Sequence, residues 1–577
     1  MLGSIAGFWI SVIIMVFAGI ATVGALIASG SDAKTEVGKK SVLYLDLSGT
    51  MPEREQPQGI WEMIQSTESD GEALIDILDA IRLAKNDSKI EGIYIKAEGA
   101  SAGTASREEI VSALQDFKTS GKWIISYGDS YSQGDYILAS LADDVILNPM
   151  GSVDVHGVAS QTPFFKDLFD KVGVKINVVR VGTFKSAVEP FMTTEMSPAS
   201  RLQTQVMIDS IWDYSTGVIA DGRKVSKADV NMWADSISAM WRGEKALENK
   251  LVTSLKYNRL VEQMLKDKLD LGEDDDIAFV TPSEYMSTQK GHSATDDHVA
   301  VLFALGDIVD DGEGGIVGTQ MVPDIIDLAD DDNVKALVLR VNSGGGSAFA
   351  SEQIWEALEY FKSKGKPFYV SMGDMAASGG YYISCGADKI FADRTTLTGS
   401  IGVFGIIPDF SNFINDKLGV HFSMVQTNPN ANFPDVLTGL SEQQIAALQN
   451  SVESTYDTFT RRVADGRGLS QDSVKVIAEG RVWTGGAALT LGLVDEIGGL
   501  NETVKEICGK AELETDAVVY YPNLETKFMQ ELLSEAKKNV SIGSVNINAQ
   551  TLKMIRMIDE LQRMNPVQAR MPQVELK

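Results

Sequence analysis

Two short stretches, KIEGIYIK at Lys89–Lys96 and NVKALVLR at Asn333–Arg340, determine how this chain folds. Each is an apolar, β-branched run of the kind that forms a buried strand. Each is followed by a loop of small residues, EGASAGTA at Glu98–Ala105 and NSGGGSAF at Asn342–Phe349. An amphipathic helical pattern comes next in both places, so the same strand–loop–helix unit occurs twice.

The repeat extends well beyond these two stretches. GDSYSQGDYILASLAD at Gly128–Asp143 pairs with GDMAASGGYYISCGAD at Gly373–Asp388. GVKINVV at Gly173–Val179 pairs with GVHFSMV at Gly419–Val425. The steady offset of 244 to 246 residues between partners indicates a tandem duplication. Units of this order predict an α/β fold with parallel strands and with functional sites at the carboxyl ends of the strands.

The composition excludes several classes of protein. The 577 residues are 44% hydrophobic and 23% charged, which is typical of a globular protein with a large core. A formal charge of −29 repels phosphate backbones, so no nucleic-acid partner is expected. Cys385 and Cys508 are too few for a disulfide framework or a Cys-based zinc site, and they leave the redox compartment open. The four histidines show no metal-ligand spacing, so neither a metal site nor a Ser-His-Asp triad is predicted.

The N-terminal residues Phe8–Ala28 contain no charged side chain. As a helix they would span about 31 Å, close to the roughly 30 Å of a bilayer core. A cleaved signal peptide would have a basic start and a shorter apolar run, and a buried core helix is the remaining alternative. We therefore expect a single transmembrane anchor. Lys34, Lys39 and Lys40 weakly favour a cytoplasmic location for the residues after it, but neighbouring acidic residues weaken that signal.

Differences between the two copies point to chemistry. Ser378 falls between a predicted strand and a predicted helix, and Gln133 takes its place in the first copy. The loop Gly344–Gly346 becomes Ala100–Ala102 in the first copy. A serine at such a turn can present its hydroxyl, and glycines allow the close backbone approach that an oxyanion hole needs. The second copy alone therefore carries a candidate nucleophile and a candidate oxyanion loop.

The first copy supplies a lysine instead. Lys185 lies in VGTFKSAVEPF, and Ala431 takes its place in the second copy. A lysine buried in an apolar site loses proton affinity and can act as a general base towards a serine. Ser400, whose duplicate is Ser152, could orient the lysine amine. Taken one at a time, Ser378 also fits a helix cap, Lys185 an exposed lysine and Gly344–Gly346 a tight turn. Taken together, these residues predict one composite site.

The motifs VGTFKSAVEPF, NSGGGS, GDMAASGGYYIS and TGSIGV resemble those of the signal peptide peptidase A family, in its long bacterial form. The resemblance runs from the N-terminal segment to about residue 510, with a weaker echo at Gln568–Pro572. It implies two tandem ClpP/crotonase-like domains and a serine peptidase that uses a Ser/Lys dyad. One departure from the family pattern is Gly344, where proline is common, so the loop geometry here is expected to differ slightly.

The resemblance also implies individual roles. Ser378 matches the nucleophile, Lys185 the general base and Ser400 the residue that orients the lysine. The backbone N–H groups of Gly345 and Gly379 match the oxyanion hole. No metal or organic cofactor is implied.

The same resemblance implies a setting and a substrate. Family members hydrolyse cleaved signal peptides and other apolar peptides, and the long form assembles as a homotetramer. It implies a single-pass protein of the bacterial cytoplasmic (inner) membrane with its catalytic domain on the extracytoplasmic side. The natural substrates, and whether the serine and lysine come from one protomer, stay open.

The expected organisation has four parts. Residues 1–30 form the anchor, 41–285 a crotonase-like domain with the lysine, 298–510 a second such domain with the serine, and 511–577 a tail with helical and extended parts.

Two other functions remain possible from the sequence. A membrane-tethered crotonase-type acyl-CoA enzyme would need a basic patch that this acidic chain does not show. A non-catalytic oligomeric scaffold would leave the serine and lysine without a role.

Overall fold

The computed structural model describes residues 37–55, 71–289, 291–312, 314–522 and 567–571. The predicted anchor at Phe8–Ala28 and most of the predicted tail lie outside these residues. Within the described ranges, none of the helices combines the length and the apolar character that crossing a membrane requires.

The strands in chain order are β1 (Ser41–Leu47), β2 (Ile90–Ala97), β3 (Trp123–Gly128), β4 (Asp144–Leu147), β5 (Lys175–Val181), β6 (Ser254–Leu255), β7 (Phe279–Val280), β8 (His298–Leu305), β9 (Ile308–Val309), β10 (Ile316–Val317), β11 (Val334–Ser343), β12 (Gly345–Ser347), β13 (Phe368–Ala377), β14 (Lys389–Ala392), β15 (Leu397–Gly399), β16 (Val403–Asp409), β17 (Val482–Thr484), β18 (Glu496–Ile497), β19 (Val518–Tyr521) and β20 (Gln568–Arg570).

The α-helices are α1 (Leu74–Ala84), α2 (Thr104–Lys118), α3 (Gln133–Ala139), α4 (Lys166–Val172), α5 (Glu189–Met192), α6 (Pro198–Arg223), α7 (Lys227–Asp235), α8 (Gly243–Glu248), α9 (Asn258–Lys268), α10 (Pro282–Ser287), α11 (Gly318–Asp330), α12 (Ala348–Ser363), α13 (Gly379–Ser384), α14 (Glu442–Arg467), α15 (Gln471–Ile477), α16 (Gly485–Thr490) and α17 (Leu500–Lys510).

Each half of the chain builds its own mainly parallel sheet. The first half forms a six-stranded sheet in the order β6-β4-β3-β2-β1-β7, with every pair parallel. The second half forms β17-β15-β13-β11-β8-β19, with β14 paired to β13 and β18 paired to β14. The duplicated strands β2 and β11 hold equivalent inner places, and their apolar side chains are buried on both faces. Such continuous apolar runs are what helix-covered parallel strands require. The predicted α/β fold with two copies is confirmed.

A third sheet joins the two halves. Its order is β10-β9-β12-β20-β16-β5, so β5 of the first half lies beside β16 of the second. These two strands are antiparallel, and Val181 faces Val403 at the end nearest the site. Because of this pairing, the residues that follow β5 lie against the second half of the chain.

Hydrogen bonds and ion pairs also connect the two halves. The buried guanidinium of Arg340 on β11 donates to Glu53 at 3.0 Å and to Glu109 at 2.5 Å, and both acceptors belong to the first half. The carboxylate of Asp374 on β13 accepts from the backbone N–H groups of Ala105 and Ser106 in the first turn of α2, at 2.9 and 3.0 Å. These contacts fix how the lysine-bearing half sits on the serine-bearing half.

Candidate active site

Ser378 occupies the junction between β13 and α13. Its backbone has φ of 56° and ψ of −112°, in a region that residues other than glycine rarely adopt. Hydrogen bonds hold this conformation, because its N–H donates to Gly399 O and its C=O accepts from Tyr382 N, both at 2.8 Å. The side chain is fully buried. The turn therefore presents the hydroxyl in a fixed direction between strand and helix.

Lys185 comes four residues after β5 and enters the second half of the molecule. Its Nζ lies 2.8 Å from Ser378 Oγ, 3.1 Å from Ser400 Oγ and 3.0 Å from Ser400 O. Within the described part of the chain, these are its side-chain hydrogen bonds, and no acidic side chain forms an ion pair with it. The structure thus brings together within one chain the three side chains that the sequence placed in a composite site.

Burial sets the protonation of this lysine. The side chain has no exposed surface, and desolvation lowers the pKa of Lys185 well below its ordinary value. Among the described residues, no neighbouring charge contributes to that lowering of the pKa. A neutral amine at 2.8 Å from a hydroxyl can accept its proton, which a protonated lysine cannot do.

Two glycines create the room for the lysine. A Cβ on Gly480 would lie 2.6 Å from Lys185 Cβ, and a Cβ on Gly402 would lie 3.2 Å from Lys185 Cδ. Neither glycine was predicted from the sequence, although Gly402 stands two residues after Ser400 in the motif TGSIGV. Gly480 lies outside the family motifs, and only the fold brings it beside the lysine.

Ser400 follows β15 in a second constrained turn. Its φ is 50°, and its N–H donates to Arg481 O at 2.7 Å. Because this backbone is tied down, both its carbonyl and its hydroxyl are held towards the lysine amine. Ser400 can therefore fix the direction of the amine.

Gly345 and Gly379 lie against each other beside Ser378. Gly345 has φ of 99°, and a Cβ there would lie 2.6 Å from Gly379 N. The N–H of Gly345 donates to Ser343 Oγ at 3.1 Å. Ser343 was not singled out from the sequence, and nothing in its motif distinguished it from an ordinary strand-end serine. The two glycines that the sequence assigned to one site are thus neighbours in space.

The cysteines and the potential metal ligands among the described residues contrast with this site. Among the described residues, no three His, Cys, Asp or Glu side chains are placed to hold a metal ion. Cys385 and Cys508 are buried free thiols, and burial raises the pKa of Cys508 to about 11. Neither is poised as a nucleophile at neutral pH.

The chain has the duplicated α/β fold of a serine peptidase. The chain belongs to peptidase family S49, whose model matches residues 116–272 and 360–514. The Clp protease model also matches residues 307–400, in agreement with the ClpP-like fold.

Curated proteins of similar sequence carry peptidase names. "Protease 4" of Haemophilus influenzae is 35% identical over 537 residues, which is 89% of this chain and 86% of that protein. "Serine protease SPPA, chloroplastic" of Arabidopsis thaliana is 28% identical, covering 93% of this chain and 78% of its own. "Putative signal peptide peptidase SppA" of Enterococcus faecium is 32% identical and covers 44% of this chain and 76% of its own. Family membership favours a peptidase over the acyl-CoA enzyme and the inert scaffold.

Proposed function

We propose that this serine peptidase works through a Ser378/Lys185 dyad supplied by the two halves of one chain. The observation that supports this most is the 2.8 Å contact between Lys185 Nζ and Ser378 Oγ in a fully buried site. Desolvation favours the neutral amine, which is the form a general base needs.

The reaction follows from this arrangement. Neutral Lys185 takes the proton of Ser378 as Oγ attacks the peptide carbonyl carbon. The lysine then gives that proton to the leaving amine, and water hydrolyses the acyl-enzyme with the lysine again as base. Ser400 keeps the amine directed at Oγ throughout.

The developing oxyanion needs hydrogen-bond donors in place. The N–H groups of Gly345 and Gly379 are the proposed donors, since the two residues adjoin each other beside Ser378. The Gly345 N–H donates to Ser343 Oγ in the structure, so the oxyanion would take over this donor from the serine side chain. Such donors typically contribute about 10²- to 10³-fold in rate.

The proposed substrates are cleaved signal peptides and other apolar peptides. The name of the Enterococcus relative supports this class. An N-terminal membrane anchor at Phe8–Ala28 would bring the site close to peptides left in the bilayer. We place the protein at the bacterial cytoplasmic membrane with its catalytic part on the extracytoplasmic side, in the arrangement expected from the sequence.

A homotetramer is proposed as the working form. The duplicate of β5, residues 421–427, runs as exposed coil in the structure, and Val425 within it is 98% exposed. In the first half, the equivalent strand is covered by β16. The duplicate of β16 is residues 155–161, and in a second copy it could cover 421–427 in the same way. Repeating this head-to-tail contact can close a ring.

Val425→Asp should dissociate the homotetramer, which light scattering would show. A wild type that is already monomeric would contradict the proposed assembly.

A covalent probe tests the dyad. The full chain in detergent is treated with a fluorophosphonate, and the labelled residue is mapped by mass spectrometry. We expect the adduct on Ser378, strongly reduced in Lys185→Ala and unchanged in Lys175→Ala, which removes an exposed lysine from the strand that leads to the site. Labelling at another residue, or equal labelling in Lys185→Ala, would contradict the assignment.

A further inference from the structure

One side chain of the first half holds the chain on both sides of the proposed base. Gln203 lies on α6 and is buried. Its side-chain Nε2 donates to Phe184 O at 3.1 Å and to Ser186 Oγ at 2.7 Å. Phe184 and Ser186 are the residues directly before and after Lys185. A single amide group therefore fixes the two neighbours of the lysine.

The oxygen of the same amide group binds the second half of the chain. Gln203 Oε1 accepts from the backbone N–H of Val482 on β17 at 3.2 Å. The two residues before Val482 also belong to the site, because Gly480 packs against the lysine and the carbonyl of Arg481 accepts from the N–H of Ser400. Gln203 thus connects the loop of the proposed base to the segment that holds Ser400.

The backbone of the lysine is itself held by long hydrogen bonds. Its N–H donates to Gly182 O and its C=O accepts from Arg180 Nη1, both at 3.3 Å. These distances exceed the roughly 3.2 Å that is usual for N–H···O hydrogen bonds. The place of the lysine therefore depends on its two neighbours. The N–H of Phe184 donates to Glu479 O at 2.9 Å, and Gln203 holds both neighbours with one side chain.

The duplication gives an independent reason to connect Gln203 with the base. α6 and α14 are both 26-residue helices, and Ser197 and Ser441 cap their N-termini at the same offset of 244 residues. With that offset, Ala447 takes the place of Gln203 in the second copy, and it is exposed there. The second copy also lacks the lysine. The glutamine and the proposed base therefore occur in the same copy and are missing from the same copy.

We infer that Gln203 is a positioning residue for Lys185, and that it acts on the reaction through the lysine. The inference rests on the proposed Ser378/Lys185 function. A lysine amine sits at the end of a flexible four-carbon stem, so it stays directed at the serine only if the backbone that carries it is fixed. Without the hydrogen bonds of Gln203, the chain on both sides of that backbone is free to move. A misplacement of about 1 Å can cost about 10²-fold in rate, so proton transfer from the serine would slow.

A double-mutant cycle on the full chain in detergent tests the inference, with kcat and KM measured for a fluorogenic apolar peptide and the folded fraction of each variant measured by circular dichroism. Gln203→Met keeps the side chain apolar and of similar size but removes its hydrogen bonds. We expect it to lower kcat about 10- to 10²-fold and to leave KM unchanged. In the Lys185→Ala background the same substitution should change nothing, because its effect passes through the lysine. The same factor in both backgrounds, or an unchanged kcat in Gln203→Met, would overturn the inference.

The pH profile of Gln203→Met separates the position of the amine from its protonation. If Gln203 fixes where the amine lies, the loss of kcat persists above the pKa of the lysine, where the amine is neutral in both proteins. A kcat that returns to the wild-type value at high pH would show that Gln203 acts on the pKa of the lysine, and would overturn the positioning role.

The cycle also distinguishes this inference from the proposed function. A Lys185→Ala variant that keeps the wild-type rate would contradict the proposed dyad itself. A Lys185→Ala variant that has lost its activity, beside a Gln203→Met variant with the full wild-type rate, would overturn the positioning role alone.

Two further variants keep the test decisive if Gln203→Met folds poorly. Ser186→Ala removes one partner of Gln203 and leaves its other two hydrogen bonds, so it should lower kcat by a smaller factor, and by nothing in the Lys185→Ala background. A loss that persists without the lysine would overturn the inference. Gln205→Ala removes an exposed glutamine of the same helix, which donates to Asp209, and should match the wild type. A loss in Gln205→Ala as large as that in Gln203→Met would show a general effect of the helix and would overturn the inference too.

Discussion

At the scale of single residues, Ser378 and Lys185 each hold a state that is unfavourable on its own. Ser378 keeps a positive φ, and Lys185 is buried without an acidic partner among the described residues. Strained backbone and buried charge-bearing groups of this kind cluster at functional sites, where the surrounding structure holds them in place. Here the surroundings are the turn bonds of Ser378 and the two glycines packed on the lysine.

The pH dependence of the rate follows from the lysine. Because burial lowers the pKa of Lys185 and the proposed reaction needs the neutral amine, activity should fall as pH drops through that lowered pKa. A plot of kcat/KM against pH should therefore rise with a midpoint well below the roughly 10.4 of an exposed lysine. A midpoint at the ordinary lysine value would contradict a desolvated base.

The lowered pKa of Lys185 also predicts how the free energy of unfolding depends on pH. Unfolding lets Lys185 bind a proton that the folded state rejects, so folded-state stability rises with pH between the lowered pKa and the ordinary one. Lys185→Met removes this contribution, and we expect a higher Tm than the wild type at pH 7. The difference should shrink towards pH 10. Thermal scans across this range check it, and a Met variant that is less stable at pH 7 would contradict the account.

At the scale of elements, strand pairing and helix contacts set the distance between Ser378 and Lys185. β5 and β16 run antiparallel, and Lys185 lies just after the end of β5. β13 ends at Ala377, directly before Ser378. Asp374, on β13, accepts from two N–H groups at the start of α2, so it ties the serine-bearing strand to the lysine-bearing half. The geometry of the site thus depends on contacts that lie outside it.

Asp374→Ala tests this dependence. It leaves two N–H groups of α2 without their acceptor, which typically costs about 1 to 2 kcal/mol. We expect a lower Tm and a reduced kcat with the protein still folded. Asp374→Asn, which keeps an acceptor oxygen, should lose less of both. Equal values for Asn, Ala and wild type would show that this contact does not position the halves.

The sequence predicted much at this scale, for reasons that are physical. Duplicated apolar runs predicted β2 and β11 because a buried parallel strand needs such a run. Differences between the copies predicted that Ser378 and Lys185 share a site, and Ser400, whose duplicate is also a serine, was added to it as a residue that could orient the lysine. The sequence could not predict that Gly480 would pack on the lysine or that Ala569 would lie on the glycine loop. Those contacts join distant parts of the chain, and no local pattern encodes them.

At the scale of the whole molecule, buried charges hold the two halves in one arrangement. Arg340 has no exposed side-chain surface and binds both Glu53 and Glu109. Burial raises the pKa of Glu109 to about 7, and the positive charge of Arg340 opposes that rise. An ion cluster of this kind stabilises only one placement of its partners, which suits a site shared between two halves.

Arg340→Ala should be strongly destabilising. It leaves two buried carboxylates without their cation, a change that typically costs about 3 to 5 kcal/mol. The pKa of Glu109 would rise further, so the loss should be greater at pH 8 than at pH 5.5, where the carboxyl can protonate. Denaturation midpoints at both pH values check this. Lys335→Ala, which removes an exposed ion pair on the same strand, should change little. A small loss for Arg340→Ala would contradict a structural role for the cluster.

The most direct measurement is the kcat/KM of Lys185→Ala for a fluorogenic apolar peptide, beside wild type and Lys175→Ala. Since a general base typically contributes about 10²- to 10⁴-fold, we predict a fall of that size for Lys185→Ala and an unchanged value for Lys175→Ala. Circular dichroism should show both variants folded as the wild type is. A folded Lys185→Ala that keeps the wild-type rate would contradict the split-site dyad, and the complementarity of the two halves would need another explanation.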